Sequence, residues 1–364
     1  MKFLVSKKEF AEALKFANKA CAVKSNTPIL SGIYLSAAES CLEIQATDNT
    51  IGIIAKIPVN VEESGATIIL GKKLFEVVTK LGGDVVTVST NENLAEISSG
   101  GTKFDLLTFN ADDFPKIKVE ENAQTFTLTK FSFKNLVSKT AFAAAKDDGR
   151  PIFTGVLFKS DGEKLTLAAT NTHRLAVATE KIPATDEFEF IVPAKVLQDI
   201  SAMFDVGRKM KIGYGKGKIT FTFDNLLVTA RIIAGMFPNL KNLLNEEKNI
   251  FATVDVAEFK NALERAAVIA KESEYNCVDL TFADNGLKIS ANSNEIGKAE
   301  ENISAKIDGG ELEIAFNIGY WLDVLKVLDA EKIVVGLTKP LAPVDVKIVG
   351  DDSFQYVVTP VRRS

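Results

Sequence analysis

The chain has 364 residues, 46% apolar and 25% charged, a globular composition long enough for two or three domains of about 150 residues. A formal net charge of −5 excludes a basic coat for nucleic acid, so any DNA contact must come from a local cationic face. One histidine and three scattered cysteines (Cys21, Cys41, Cys277) offer no metal-ligand spacing and no disulfide framework. No apolar run nears the ~18 residues of a membrane span, and the start lacks a signal peptide's apolar core.

Apolar residues at helical spacing predict, in chain order, helices over Lys7–Ala20, Lys72–Leu81, Phe133–Ala145, Ala194–Phe204, Ala257–Lys271 and Gly319–Ala330. Phe10, Leu14 and Ala17 form the stripe of the first, Phe133, Leu136 and Val137 that of the third, and Phe259, Leu263 and Ala266 that of the fifth. Between them run short alternating strands such as Lys164–Ala169, Lys218–Phe223 and Ile333–Gly336. Turns such as Ser160-Asp161-Gly162 and Asp284-Asn285-Gly286 punctuate them. Helices alternating with short β-runs in this way predict an α+β fold, with helices on one face of antiparallel sheet.

The elements repeat. Leu42, Leu165 and Leu287 open three similar segments 123 and 122 residues apart, and Phe114-Pro115 and Phe237-Pro238 are separated by 123. Helix starts fall at half that period, so each repeat is itself a doubled unit. This periodicity predicts three tandem domains of one fold, at 1–121, 122–246 and 247–364, joined by polar linkers near Val119–Gln124 and Leu244–Asn249.

Phosphate loops, dinucleotide fingerprints, nucleophile elbows and His-Glu-x-x-His motifs are absent. The adjacent carboxylates Asp112-Asp113 and Asp351-Asp352 read as solvated turns. The most unusual run is Ala169-Thr170-Asn171-Thr172-His173-Arg174-Leu175, a turn after a strand in which Asn171 and Thr172 bond their own backbone and His173 is a partly buried ring. Only the middle repeat places His-Arg there. Lys24, Lys146 and Lys271 close the first helix of each repeat, and Lys72, Lys73, Lys195 and Arg150 add helix-associated positives. One lysine near a helix end complements the macrodipole; a repeated pattern in an acidic chain points to cationic helical faces turned toward one axis.

Over its whole length the sequence resembles the β sliding clamp family of bacterial DNA polymerase III. The resemblance rests on Thr27-Pro28-Ile29-Leu30-Ser31-Gly32, Ala46-Thr47-Asp48, Asp113-Phe114-Pro115, the His173-Arg174 run, Gly235-Met236-Phe237-Pro238-Asn239, Phe316-Asn317 and the tail Tyr356–Arg362. It implies three clamp domains per chain and a head-to-tail homodimeric ring with helices inside. Such a ring encircles duplex DNA without sequence preference and tethers the polymerase, with no catalytic residue, cofactor or metal. It also implies a cytoplasmic protein whose partners are the polymerase III catalytic subunit, the clamp loader and other replication and repair clients, with no membrane.

The resemblance further implies a peptide cleft for clients. Its matching positions are Phe153, Thr170, Thr172, His173, Arg174, Leu175, Pro238, Asn242, Leu243, Tyr275, Asn317, Tyr320, Leu341, Pro343, Val357, Val358, Thr359, Pro360, Val361 and Arg362. DNA-facing positions are expected at Lys24, Lys72, Lys73, Lys146, Arg150 and Lys195, and dimer contacts at Phe104, Leu106 and Ile269. The family commonly has Asp-Gly at Asn171-Thr172, a basic residue at Asn242 and methionine at Thr359, so a different client motif is expected. The competing reading is a hydrolase using the His173-Arg174 turn with a nearby carboxylate.

Overall fold

A computed structural model describes residues 1–23, 27–118, 124–203, 209–244 and 247–362. Lys24, Phe204, most of the first linker and residues 245–246 of the second lie outside the described residues. The helices are α1 (Lys7–Ala17), α2 (Gly71–Lys80), α3 (Lys130–Thr140), α4 (Ala194–Ser201), α5 (Leu240–Leu244), α6 (Val256–Ala270) and α7 (Ile318–Val327). All six expected helices are present within a few residues of their predicted bounds. Short 3₁₀ turns extend α1 through Ala20 and α3 through Ala143. The five-residue α5 was not foreseen, being too short to show a period.

Helix starts follow from capping chemistry. Ser6 accepts from the Glu9 N–H and Asp255 from the Glu258 N–H, and Asn317 caps α7 through the Gly319 N–H at 2.9 Å. The predicted stripes are the buried faces: Phe10, Leu14 and Ala17 in α1, and Phe259, Leu263, Ala266 and Ala270 in α6. In α7, Trp321 is wholly buried, edge-on to Phe259 at 5.2 Å and to Phe316 at 5.5 Å.

The chain packs into two compact units, Met1–Lys130 with Asp199–Ile232, and Phe131–Gln198 with Ile233–Ser364. In the first unit a 13-stranded sheet carries α1 packed against α2. All named strand pairs are antiparallel. The sheet crosses from repeat to repeat where Ile51–Pro58 pairs with Leu226–Arg231, Ile53 opposite Val228. In the second unit a nine-stranded sheet crosses likewise where Arg174–Lys181 pairs with Asp351–Val358, Ala176 opposite Tyr356. A separate four-stranded sheet runs Gly297–Ile303, Gly286–Ser293, Cys277–Ala283, Leu312–Asn317, and α6 packs against it and α7.

The three repeats share one order: strand, helix, three strands, a further strand, helix, three strands. The first and third repeats add a short strand (Asn60–Glu63, Ala305–Asp308) before the fifth. The Phe-Pro motif has a structural reason. Phe114 stacks on Tyr34 at 5.3 Å beside Ile68, and Phe237 packs with Leu157 and Ile191, each 123 residues further on. In these two repeats the aromatic ring pins the end of the repeat to its own sheet.

Candidate functional site

The middle-repeat turn is held by its own side chains. The Thr170 hydroxyl donates to the Arg174 carbonyl at 2.7 Å and accepts from the Thr172 N–H at 3.1 Å. The Asn171 carboxamide oxygen accepts from the N–H groups of His173 and Arg174 at 3.1 and 3.0 Å. The first repeat makes the same turn with Thr47 and Asp48. Asn49 and Thr172 take the left-handed conformation at equivalent places, φ 71° and 74°. For β-branched Thr172 this is strained.

The turn sends its two distinctive side chains in different directions. Arg174 points inward, its side chain 8% exposed, with a guanidinium nitrogen 2.6 Å from the Asp323 carboxylate and another donating to the Phe142 carbonyl at 2.5 Å. Its plane lies over the rings of Tyr320 and Phe142, 4.7 and 5.4 Å from the centroids. His173 is exposed, not half-buried, and stacks on the outer part of this assembly, 6.5 Å from Tyr320 with planes 17° apart. The described carboxylate at this turn, Asp323, is bonded to Arg174 rather than to His173.

The tail runs alongside. The Thr359 N–H and hydroxyl both donate to the His173 carbonyl, at 2.9 and 3.0 Å, and the Val361 N–H donates to the Ala315 carbonyl at 2.8 Å. The Tyr356 hydroxyl donates to the Tyr320 carbonyl at 2.9 Å, and burial pushes that phenol's pKa up. Asn317 joins the start of α7 to the turn after α6, its amide donating to the Tyr275 carbonyl at 2.9 Å.

These elements enclose an open cleft of about 830 Å³ lined by Thr172, His173, Tyr275, Asn276, Asn317, Tyr320, Leu341, Pro343, Thr359, Pro360, Val361 and Arg362. Eleven of the expected cleft positions meet there, and Asn276 joins them. Tyr275 and Leu341 are large apolar surfaces left exposed, 62% and 58%. Next to the turn, Leu175 and Val357 belong to a buried cluster with Leu157, Ile191 and Phe237, capped by half-buried Ile152, Ile233, Leu240 and Leu244. Leu243 and Asn242 are exposed on α5, and Pro238 is half-buried just before it. Phe153, Thr170 and Val358 are buried and support the walls from behind. Asp323 and Phe142, which fix Arg174, were not foreseen; the three-residue spacing of Tyr320 and Asp323 on one helix was the available signal.

The cationic positions lie on separate elements. Lys72 and Lys73 are exposed on α2, with Lys73 2.9 Å from Glu76 and holding that carboxyl below its usual range. Lys195 is exposed on α4 and Lys146 follows the 3₁₀ turn after α3. Arg150 lies 4.4 Å over the Phe153 ring and 3.2 Å from Asp148. Phe104 and Leu106 lie on the strand Thr102–Phe109, and Ile269 is half-buried on α6.

Sequence profiles of the DNA polymerase III beta subunit match three consecutive stretches: its N-terminal domain residues 1–118, its central domain 127–239, its C-terminal domain 241–362. The chain belongs to this family, the bacterial beta sliding clamps. It is 30% identical over 374 residues to the beta sliding clamp of Staphylococcus aureus (strain COL), covering 100% of this chain and 99% of that one. It is 31% identical over 376 residues to that of Bacillus subtilis (strain 168), covering all of both. The crystal structure of the Bacillus subtilis DNA polymerase sliding clamp superposes with a TM-score of 0.95 at 30% identity, and that of the Thermotoga maritima DNA polymerase III beta subunit with 0.93 at 26%, each covering 100% of both chains. The protein is thus a DNA sliding clamp of replication, built from three clamp domains, and a non-catalytic processivity factor that works with DNA and DNA polymerase III. The hydrolase reading finds no support in these relatives. No helix among the described residues is long and apolar enough to cross a membrane.

Proposed function

We propose that two copies of the clamp close head to tail into a ring around duplex DNA. The supporting observation is a matched pair of open strand edges. Gly297–Ile303 has one partner strand, and Thr102–Phe109 has a second partner only through Thr108 and Phe109. By the repeat, these are the counterparts of the strands that pair at both internal crossings. Carrying the register of those crossings over places Phe104 opposite Ala299, as Tyr356 stands opposite Ala176. It then sets Lys298 opposite Asp105 and Glu300 opposite Lys103, and brings exposed Ile296 beside exposed Leu107. Opposite charges meet at both positions, and closure covers two edges that would otherwise invite wrong pairing. Val268 is exposed and Ile269 half-buried on α6, which packs against the Gly297–Ile303 edge.

In this reading the domains are 1–121, 122–246 and 247–364, and Lys72, Lys73, Lys146, Arg150 and Lys195 face DNA. Lys24 has that role by sequence alone. The cleft takes apolar peptide motifs of the polymerase III catalytic subunit, the clamp loader and other clients, and the protein works in the cytoplasm. Apolar walls with a few placed polar groups suit such motifs.

A charge swap tests the closure. Glu300→Lys faces Lys103 with a like charge and should move the protein toward monomer in light scattering, while adding Lys103→Glu should restore the dimer mass. An unchanged mass for the single variant, or no rescue by the double, would contradict the register.

A further inference from the structure

The first crossing between repeats carries its own cleft, of about 220 Å³, with a chemistry unlike the one described above. Its walls are the 123-residue counterparts of the middle-repeat turn and its surroundings. Asn49 stands for Thr172, Gly52 for Leu175, Pro115 for Pro238 and Ile117 for Leu240, and by strand register Thr229 stands for Val357 and Arg231 for Thr359. Gly52 makes room there: a Cβ would sit 2.9 Å from Ile117 Cδ1 and 3.0 Å from the Thr229 methyl, so those side chains would have to shift. Ile117 therefore lies directly on the strand, held by its N–H bond to the Gln45 side-chain oxygen at 3.2 Å.

Around this small apolar floor stand four cations: Lys116, Lys118, Lys218 and Arg231. Lys218 and Arg231 are directly opposite on neighbouring strands, an arrangement that costs free energy for like charges. Among the described residues none of the four has a carboxylate within ion-pair distance; Lys116 lies 5.8 Å from the Tyr34 ring centroid. Asp48, on the adjoining turn, commits its carboxylate to the N–H groups of Thr50 and Ile51, 2.8 Å each. Among the described residues this like-charged cross-strand pair has no carboxylate partner, which favours an anionic ligand.

We infer that this cleft binds a short acidic peptide segment of a partner protein, an aliphatic side chain on the Ile117–Gly52 floor and carboxylates on the flanking cation pairs. The cations come from the segment carrying Lys116 and Lys118 and from the two strands carrying Lys218 and Arg231, around an apolar floor, which matches an extended chain with carboxylates around one apolar residue. The inference stands on this cleft's own residues and does not depend on the client reading of the other one.

The test uses full-length protein and a fluorescein-labelled peptide, Glu-Asp-Leu-Asp-Glu, read by anisotropy at low ionic strength. Wild type should bind, and rising salt should weaken binding. Arg231→Glu, which turns the like-charged strand pair into an opposite one and so preserves the fold, should weaken binding roughly tenfold or more, and Lys118→Glu, on a different element, should do the same. Absence of wild-type binding would overturn the inference, as would affinity unchanged in both variants. Equal displacement of the peptide by inorganic phosphate or a short oligothymidylate would also overturn it, since the surface would then be a generic anion patch.

Discussion

Thr172 shows how a turn can hold a residue type its backbone conformation disfavours. Its φ of 74° is the left-handed conformation that glycine adopts freely, and a β-branched side chain is strained there. Thr172→Gly should therefore raise unfolding stability by roughly 0.5–1 kcal/mol in urea titration, relief of strain outweighing the extra freedom of the unfolded chain. A loss of stability would mean the threonine side chain makes a compensating contact. At the neighbouring hairpin, Asp161 accepts from the N–H groups of Lys164 and Glu163, and those bonds hold its carboxyl below the usual range. A lowered folded pKa contributes stability above the ordinary carboxylate range and loses it as pH falls through the lowered value. Asp161→Asn should thus be less stable than wild type at neutral pH, with the gap closing in acid. A gap that persists at low pH would assign the effect to shape rather than charge.

At the scale of elements, the tail is the informative segment. Val357 and Val358 are buried strand residues paired with Leu175 and Arg174, so cutting after Tyr356 would remove part of the sheet. Cutting after Val358 spares the sheet and removes the cleft-lining Thr359, Pro360, Val361 and Arg362 together with the two terminal residues. That truncation should weaken a client-derived peptide at least tenfold, because desolvated apolar anchors carry about 2 kcal/mol each, while dimer mass is kept. Undiminished peptide affinity would take the tail out of the site.

Sequence revealed much at this scale. Six helices and the threefold repeat were legible because amphipathic stripes and Phe-Pro anchors recur at a fixed spacing. Sequence could not show that Arg174 turns inward to Asp323 while His173 stacks outside, since adjacent residues in a turn have no periodicity to sort them. Nor could it show the cation-lined cleft at Gly52, whose cations come from segments about 100 residues apart, Lys116 and Lys118 on one, Lys218 and Arg231 on the other. The buried supports Phe153 and Val358 were grouped with the cleft because their neighbours are; only burial separates a wall from its backing.

For the whole molecule, net charge and architecture point the same way. An acidic protein holds DNA weakly except where lysines cluster, and linkage through a closed ring removes the need for tight binding. Replacing Lys72, Lys146 and Lys195 by Glu should flatten the salt dependence of DNA association by about one unit of slope per lost phosphate contact. The most direct test of a closed sliding clamp is retention on nicked circular duplex after loading, measured before and after one restriction cut. A closed ring predicts stable retention on the circle and rapid loss once the DNA is linear. Equal retention on both forms would contradict it.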